Sequence, residues 1–301
     1  MLYIDKFLLP IEDEESIISA RMGENGGAFG YIDNIYPCGI FNQKAFKQVD
    51  FKPLTIFYGG NGSGKSTMLN LIAQKLSLNR IAPFNVSELF DRYCKACNYD
   101  MSYDDEGFRL RVPNGSRIIT SDDIFDYMLT VRTNNSEILE KIEKAKDTDY
   151  DEIKYGETVK MQGLEDYEKL RLQVLARKKS VSRRKFIQRT VGKDVRLFSN
   201  GETALDYFNL KMKNDTLYCL DEPENSLSPK LQLKLSETLQ NLVRYCGCQL
   251  IIATHSPFLL AMENAKIYNF DCNPVTVCNW WELENTKIYF DFFNRYRNLF
   301  N

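Results

Sequence analysis

Three runs of consecutive apolar residues each end on polar, chemistry-bearing side chains. Leu54-Thr55-Ile56-Phe57-Tyr58 runs into glycines, Leu217-Tyr218-Cys219-Leu220 into Asp221 and Glu222, and Leu250-Ile251-Ile252-Ala253-Thr254 into His255. Short unbroken apolar runs bounded by polar turns fit strands covered on both faces, as in the parallel sheet of an α/β fold. Pro229 to Tyr245 has helical spacing and lies between the second and third runs, room for one crossover between parallel strands. All three strand ends then share one edge of a parallel sheet, the edge where such folds bind ligands.

Around this frame the pattern is less regular. Residues 1–58 alternate short apolar runs with a glycine-rich stretch, Gly23 to Gly30, and with Pro37 and Pro53, which predicts hairpins forming a small antiparallel layer. Helical runs are expected over Thr67–Ile72, Asp122–Leu129 and Thr203–Leu210. Trp280-Trp281, Tyr289, Phe292, Phe293, Tyr296 and Phe300 are spaced for one face of a C-terminal helix over about 282–300, either docked on its own domain or anchoring a partner.

The glycines after the first run read Gly59-Gly60-Asn61-Gly62-Ser63-Gly64-Lys65-Ser66-Thr67. A strand, a glycine turn and a helix start in this order form a phosphate-binding loop. Backbone N–H groups wrap the anion, and the helix points its positive end at it. Lys65 adds a charge, and Ser66 offers a hydroxyl to Mg²⁺. Asp221 is placed to hold the same ion, and Glu222 to polarise the attacking water. Successive side chains at a strand end face opposite ways, so the two acids take different parts. His255, the one histidine of the chain, stands where it can sense a γ-phosphate. Ser199 and Gly201, at the start of the 203–210 helical run, form a second candidate anion-binding helix N-terminus or a plain cap.

Together with Asp221-Glu222-Pro223-Glu224-Asn225-Ser226-Leu227-Ser228-Pro229 and Thr254-His255-Ser256-Pro257-Phe258-Leu259-Leu260, these motifs resemble the bacterial ABC-type "AAA family" ATPases. Those are relatives of the chromosome-maintenance (SMC), RecF and overcoming-lysogenization-defect (OLD) ATPases. The resemblance implies an α/β P-loop NTPase fold of ABC-ATPase-like architecture, with an N-terminal antiparallel β layer and a helical insertion over about 80–197. It also implies a single domain over 1–301, ATP and Mg²⁺ as ligands, Asp221 as metal ligand, Glu222 as base and His255 as switch. In this family Ser199 and Gly201 reach the partner's nucleotide in an ATP-dependent homodimer, and Asn225 to Ser228 form the dimer loop. The biological role it suggests is control of a DNA-related or phage-defence effector, separately encoded. The alternatives are the nucleotide-binding subunit of an ABC transporter and a slow nucleotide-gated scaffold. Transporter cassettes more often carry an alanine-leucine-aspartate dimer loop and an aspartate after the switch histidine.

One family element is missing: no glutamine lies between Gln74 and Gln162, where one normally contacts the metal and water. Thr120 and Ser121, at the end of the run Arg117-Ile118-Ile119, either substitute or cap the following helix. Tyr31 and Tyr36 lie where many cassettes stack adenine, although core packing accounts for either.

Composition narrows the setting. A chain of 301 residues with 44% apolar content can bury a large core. No apolar run approaches a membrane span and the N-terminus carries charge early, so we expect a cytoplasmic protein without membrane insertion. Its eight cysteines are dispersed, and Cys94-Lys95-Ala96-Cys97 lacks a second ligand pair, which favours free thiols over zinc. Acidic residues outnumber basic ones about two to one across 137–168, whereas Asp194 is the single acid among eleven bases across 169–196. The segment Arg177–Arg189 is therefore a candidate nucleic-acid contact, the complement of its acidic neighbour, or a collar around ATP at the dimer interface.

Overall fold

The computed structural model describes residues 1–20, 36–84, 87–147, 150–158, 166–178 and 200–300. The chain order is β1 (Ile4–Leu8), α1 (Glu12–Ala20), β2 (Gln48–Asp50), β3 (Leu54–Tyr58), α2 (Lys65–Lys75), α3 (Glu88–Ala96), β4 (Asn98–Met101), β5 (Arg117–Thr120) and α4 (Ser121–Asp147). It continues through α5 (Tyr150–Tyr155), α6 (Asp166–Arg177), α7 (Asn200–Lys211), β6 (Leu217–Asp221), α8 (Pro229–Tyr245), β7 (Gln249–Ala253), α9 (Pro257–Leu260), β8 (Lys266–Asn269), β9 (Thr276–Cys278) and α10 (Glu284–Arg295). Two compact units result, Met1–Phe125 with Ala204–Asn301, and Asp126–Thr203.

In the first unit six strands run in the order β5-β6-β7-β3-β8-β9, with neighbours parallel from β5 to β8 and β9 antiparallel at the edge. Every residue of β3 and β7 is buried, and in β6 only Asp221 is partly open. These are the three apolar runs, central because nothing on them needs water. Asp221 pairs with Ala253, and Ala253 in turn with Phe57, so the carboxyl ends of β6, β7 and β3 come out side by side. Pro229 starts α8 with a residue that lacks an N–H to leave unpaired. α8 spans the expected Pro229 to Tyr245.

A second, antiparallel sheet has the order β2-β1-β4. The antiparallel layer is present, but not as hairpins. β1 and β2 are separated in sequence by α1, and the third strand comes from after α3, pairing Ile4 with Met101. The buried amide of Gln249 ties the layer to the main sheet, accepting from Tyr3 N–H (2.7 Å) and Ile4 N–H (2.9 Å) and donating to Ile4 O (2.9 Å). Phe7, Val49, Phe57, Met68, Ile72 and Phe270 fill one shared core. Each such side chain contributes about 1.5–3 kcal/mol on burial.

The stretch expected to be helical from about residue 80 divides. α3, β4 and β5 complete the first unit, and the second runs from Asp126 to Thr203. Within the second, α5 packs on α6, and Arg177 donates to Lys154 O (3.1 Å), Gly156 O (2.7 Å) and Thr158 Oγ1 (3.0 Å). The remainder of the basic stretch, 179–189, lies outside the described residues, as does Tyr31. Tyr36 stacks on Phe90 at 5.8 Å and its hydroxyl donates to Thr67 Oγ1 (3.2 Å). Cys94 and Cys97 are buried, and burial pushes both thiols up. No described helix is long and apolar enough to cross a membrane.

Candidate active site

β3 delivers the chain at Tyr58 to the glycine loop. Space is short at two of the glycines: a Cβ on Gly59 would lie 2.6 Å from Ser63 Oγ, and one on Gly64, where φ is +105°, 3.0 Å from Ile40 Cγ2. A larger residue at either would have to displace these neighbours, and at Gly64 would also strain the left-handed backbone. Gly60, Asn61, Gly62 and Ser66 are exposed, while Ser63, Lys65 and Thr67 are buried. Lys65 Nζ donates to Gly59 O (2.6 Å) and Gly60 O (2.9 Å), and the Ser63 hydroxyl is buried with no hydrogen-bond partner. A helix N-terminus, a buried lysine and an unpaired buried hydroxyl form a donor set that fits a phosphate.

Two residues from elsewhere hold this loop. Asp271, just past β8, accepts the Gly60 N–H on Oδ1 (2.9 Å) and Oδ2 (3.0 Å). Lys44 Nζ donates to Ser63 O (2.6 Å) and Phe270 O (2.5 Å), and burial pulls its pKa below the usual lysine value. Neither was visible in the sequence, because neither belongs to a periodic run.

At the end of β6 the Ser66 hydroxyl donates to Asp221 Oδ1 at 3.0 Å. Burial pushes the Asp221 carboxyl up to about 6, with Glu222 and Glu224 adding to the rise and Ser66 and Lys65 opposing it. Two hard oxygens side by side, one on a carboxylate that its surroundings penalise when charged, fit a Mg²⁺ ion.

Glu222 has different partners. Its φ of +47° lies in the left-handed region, held by its N–H to Ala253 O (2.9 Å) and by Asn225 Nδ2, which donates to Oε2 (3.0 Å). Such a backbone is costly for a non-glycine residue and typical of functional positions. His255 Nδ1 lies 3.8 Å from Glu222 Oε1 and 3.8 Å from Glu224 Oε1.

Glu224, given no separate role above, organises the His255 turn. Its Oε1 accepts from Thr254 Oγ1 and from the N–H groups of His255 (3.1 Å) and Ser256 (3.2 Å). Burial raises its pKa, and these hydrogen bonds oppose the rise. The spacing of Glu224 two residues after the acidic pair was the available signal.

A further cation was also missed. Arg80, past the end of α2, donates to Asn70 Oδ1 and lies over the Phe84 ring at 4.0 Å. Burial lowers its pKa, and Asp123 and Asp221 are close enough to raise it again. Thr120 acts as a cap: its N–H (2.8 Å) and hydroxyl (3.1 Å) both donate to Asp123 Oδ2, and Asp123 N–H returns a bond to Thr120 Oγ1 at 3.4 Å. Ser199 lies outside the described residues; Gly201 is buried in the first turn of α7.

Thus Lys65, Ser66, Asp221, Glu222 and His255 converge on one sheet edge. Comparison with known proteins concerns the family and the fold. A family model described as ABC transporter matches residues 48–225, and one described as AAA ATPase domain matches 196–260. No curated protein matches the chain. Among solved structures, an Smc head domain from Pyrococcus furiosus is 15% identical, covering 97% of this chain and 100% of its own, with a TM-score of 0.42. The SMC head domain from Thermotoga maritima is 12% identical, covering 92% and 98%, at 0.39. The cbiO1 protein from Clostridium perfringens, part of an ABC transporter complex, is 16% identical, covering 82% and 87%, at 0.37.

Proposed function

From the premise that this chain belongs to the ABC transporter family, whose model spans more than half of it, we propose that it is a Mg²⁺-dependent ATPase cleaving ATP to ADP and phosphate. The observation that carries this is the Ser66–Asp221 hydrogen bond of 3.0 Å beside buried Lys65, with Glu222 and His255 3.8 Å apart at the next strand end. The loop amides beyond Gly60, whose own N–H is taken by Asp271, and Lys65 bind the β- and γ-phosphates. Ser66 and Asp221 hold Mg²⁺, which when bound neutralises charge on those phosphates. Glu222, steadied by Asn225, orients a water and takes its proton. His255 meets the γ-phosphate, its position set by Glu224. Lys44 and Asp271 keep the loop open for the anion.

The output in this reading is closure of a homodimer around two nucleotides, with Ser199, Gly201 and the turn Asn225 to Ser228 facing the partner. Closing and opening would then gate a DNA-directed or defence-related effector. The turn Asn225 to Ser228 lacks the alanine-leucine-aspartate more usual in transporter dimer loops, and Ser256 rather than an aspartate follows His255, which favours this over a transporter role. Any nucleic-acid contact falls to the basic residues beyond Arg177, whose own donors serve the second unit.

Lys65→Ala tests the reading. The ammonium forms charge-assisted bonds to phosphate worth roughly 1.5–3 kcal/mol each, so its loss should weaken Mg-ATP binding at least about 10²-fold in a calorimetric titration. Undiminished affinity would place the nucleotide elsewhere.

A further inference from the structure

A pocket of about 520 Å³ adjoins the His255 turn but takes no residue from the glycine loop. Its walls are aromatic, with Trp280, Tyr289, Phe290 and Phe293 contributed by α10 and the turn before it. Glu224 and Thr286 also line it. Glu224 is 4% exposed; its Oε1 already serves three donors, while Oε2 is buried with no partner. Thr286 is 8% exposed, and its hydroxyl is likewise buried and unpaired. Buried oxygens left without hydrogen bonds are rare because each forfeits its solvation. Here both belong to residues that line one cavity.

The chemistry that satisfies such a cavity is specific. Aromatic faces attract cations, and an unpaired carboxylate oxygen needs a donor and a positive charge. An anion would be repelled, and a hydrocarbon would leave both oxygens unpaired. A guanidinium stacks flat on aromatic rings and has enough donors for two acceptors, which an ammonium does less well. The rim identifies the carrier. Phe290 and Phe293, which line the pocket, are each more than half exposed, apolar surface that a free amine would leave in water. Exposed aromatic patches of this kind are typical of protein interfaces.

We propose that this pocket receives an arginine side chain from a separate partner polypeptide, whose flanking apolar residues cover the exposed face of α10. The arginine pairs with Glu224 Oε2. Because Glu224 Oε1 holds the backbone of His255 and Ser256, docking acts directly on the turn that carries His255.

Trp280 provides the readout, since it lines the pocket and the chain has only one other tryptophan, the adjacent Trp281. The probes are blocked peptides, acetyl-Leu-Arg-Leu-amide and its neutral citrulline counterpart, titrated without nucleotide so that the result does not depend on the ATPase reading. The arginine peptide should shift the fluorescence and bind at least about tenfold more tightly than the citrulline peptide. Glu224→Gln should erase that preference, and Phe293→Ala, at a half-exposed position that spares the fold, should weaken the arginine peptide about tenfold. The proposal fails if the two peptides bind equally, if neither binds at millimolar concentration, or if Phe293→Ala leaves affinity unchanged. It also fails if acetyl-arginine-amide alone binds as well as the tripeptide, which would mean a free cation. A nucleotide-free dimer abolished by Phe290→Asp, seen by light scattering, would put a second copy on this face and overturn the separate partner.

Discussion

Replacing Glu222 with glutamine is expected to leave ATP binding intact while lowering turnover at least ~10²-fold, the usual loss when a general base is removed. The side chain keeps its shape. Its remaining carbonyl oxygen still accepts from Asn225 Nδ2, and its backbone N–H still reaches Ala253 O, so the left-handed turn at this position should persist. The substitution also removes a negative charge that raises the Asp221 pKa, so the metal-binding carboxylate becomes easier to ionise. Nucleotide affinity should therefore hold or rise as hydrolysis falls. An enzyme that binds but cannot cleave should accumulate as the closed homodimer. Phosphate release measures the first effect and light scattering with Mg-ATP the second. Wild-type turnover in this variant would remove Glu222 as the base; a monomer under saturating ATP would remove the homodimer.

The parts of the site readable in the sequence are those where burial leaves a local trace. β3, β6 and β7 lie in the middle of a parallel sheet, so their residues face apolar neighbours on both sides and the runs are unbroken. The glycine loop was legible because steric demand at Gly59 and Gly64 restricts the residue type. By contrast, Lys44, Arg80 and Asp271 reach the site through tertiary packing. Asp271 holds an amide 211 residues earlier in the chain, and no spacing rule connects them. The strand Asn98–Met101 escaped for a similar reason: its pattern is mostly open to solvent, and its partner β1 lies near the other end of the layer's sequence. The C-terminal aromatics did predict a helix, but not its environment. Docking on its own domain was one expectation, whereas α10 buries only Thr286 and leaves its rings largely exposed. Thr120 carried two readings, and its hydrogen bonds to the buried Asp123 fit the cap.

Asp221→Asn should abolish Mg²⁺-dependent nucleotide binding and yet stabilise the nucleotide-free protein. The folded-state value of about 6 stands above the ordinary carboxyl value of 3.8 because burial disfavours the charge. The folded chain therefore holds this proton more tightly than the unfolded chain does. Between about pH 4 and pH 6 stability falls as pH rises, and above the folded value the whole cost is present, about 3 kcal/mol at 1.36 kcal/mol per unit. Asparagine carries no charge to bury, and its carbonyl can still accept from the Ser66 hydroxyl. At pH 7.5 the variant should melt well above the wild type, by roughly 2–4 °C per kcal/mol for a chain of this size. At pH 4, where the native carboxyl is already protonated, the two curves should meet. For the same reason Mg²⁺-dependent binding by the wild type should weaken as pH falls through about 6. Melting curves at pH 4 and 7.5, beside calorimetric titration of ATP with and without Mg²⁺, separate the effects. A variant no more stable than wild type at pH 7.5 would mean that Asp221 bears no such charge penalty, and one that still binds Mg-ATP normally would remove it as the metal ligand.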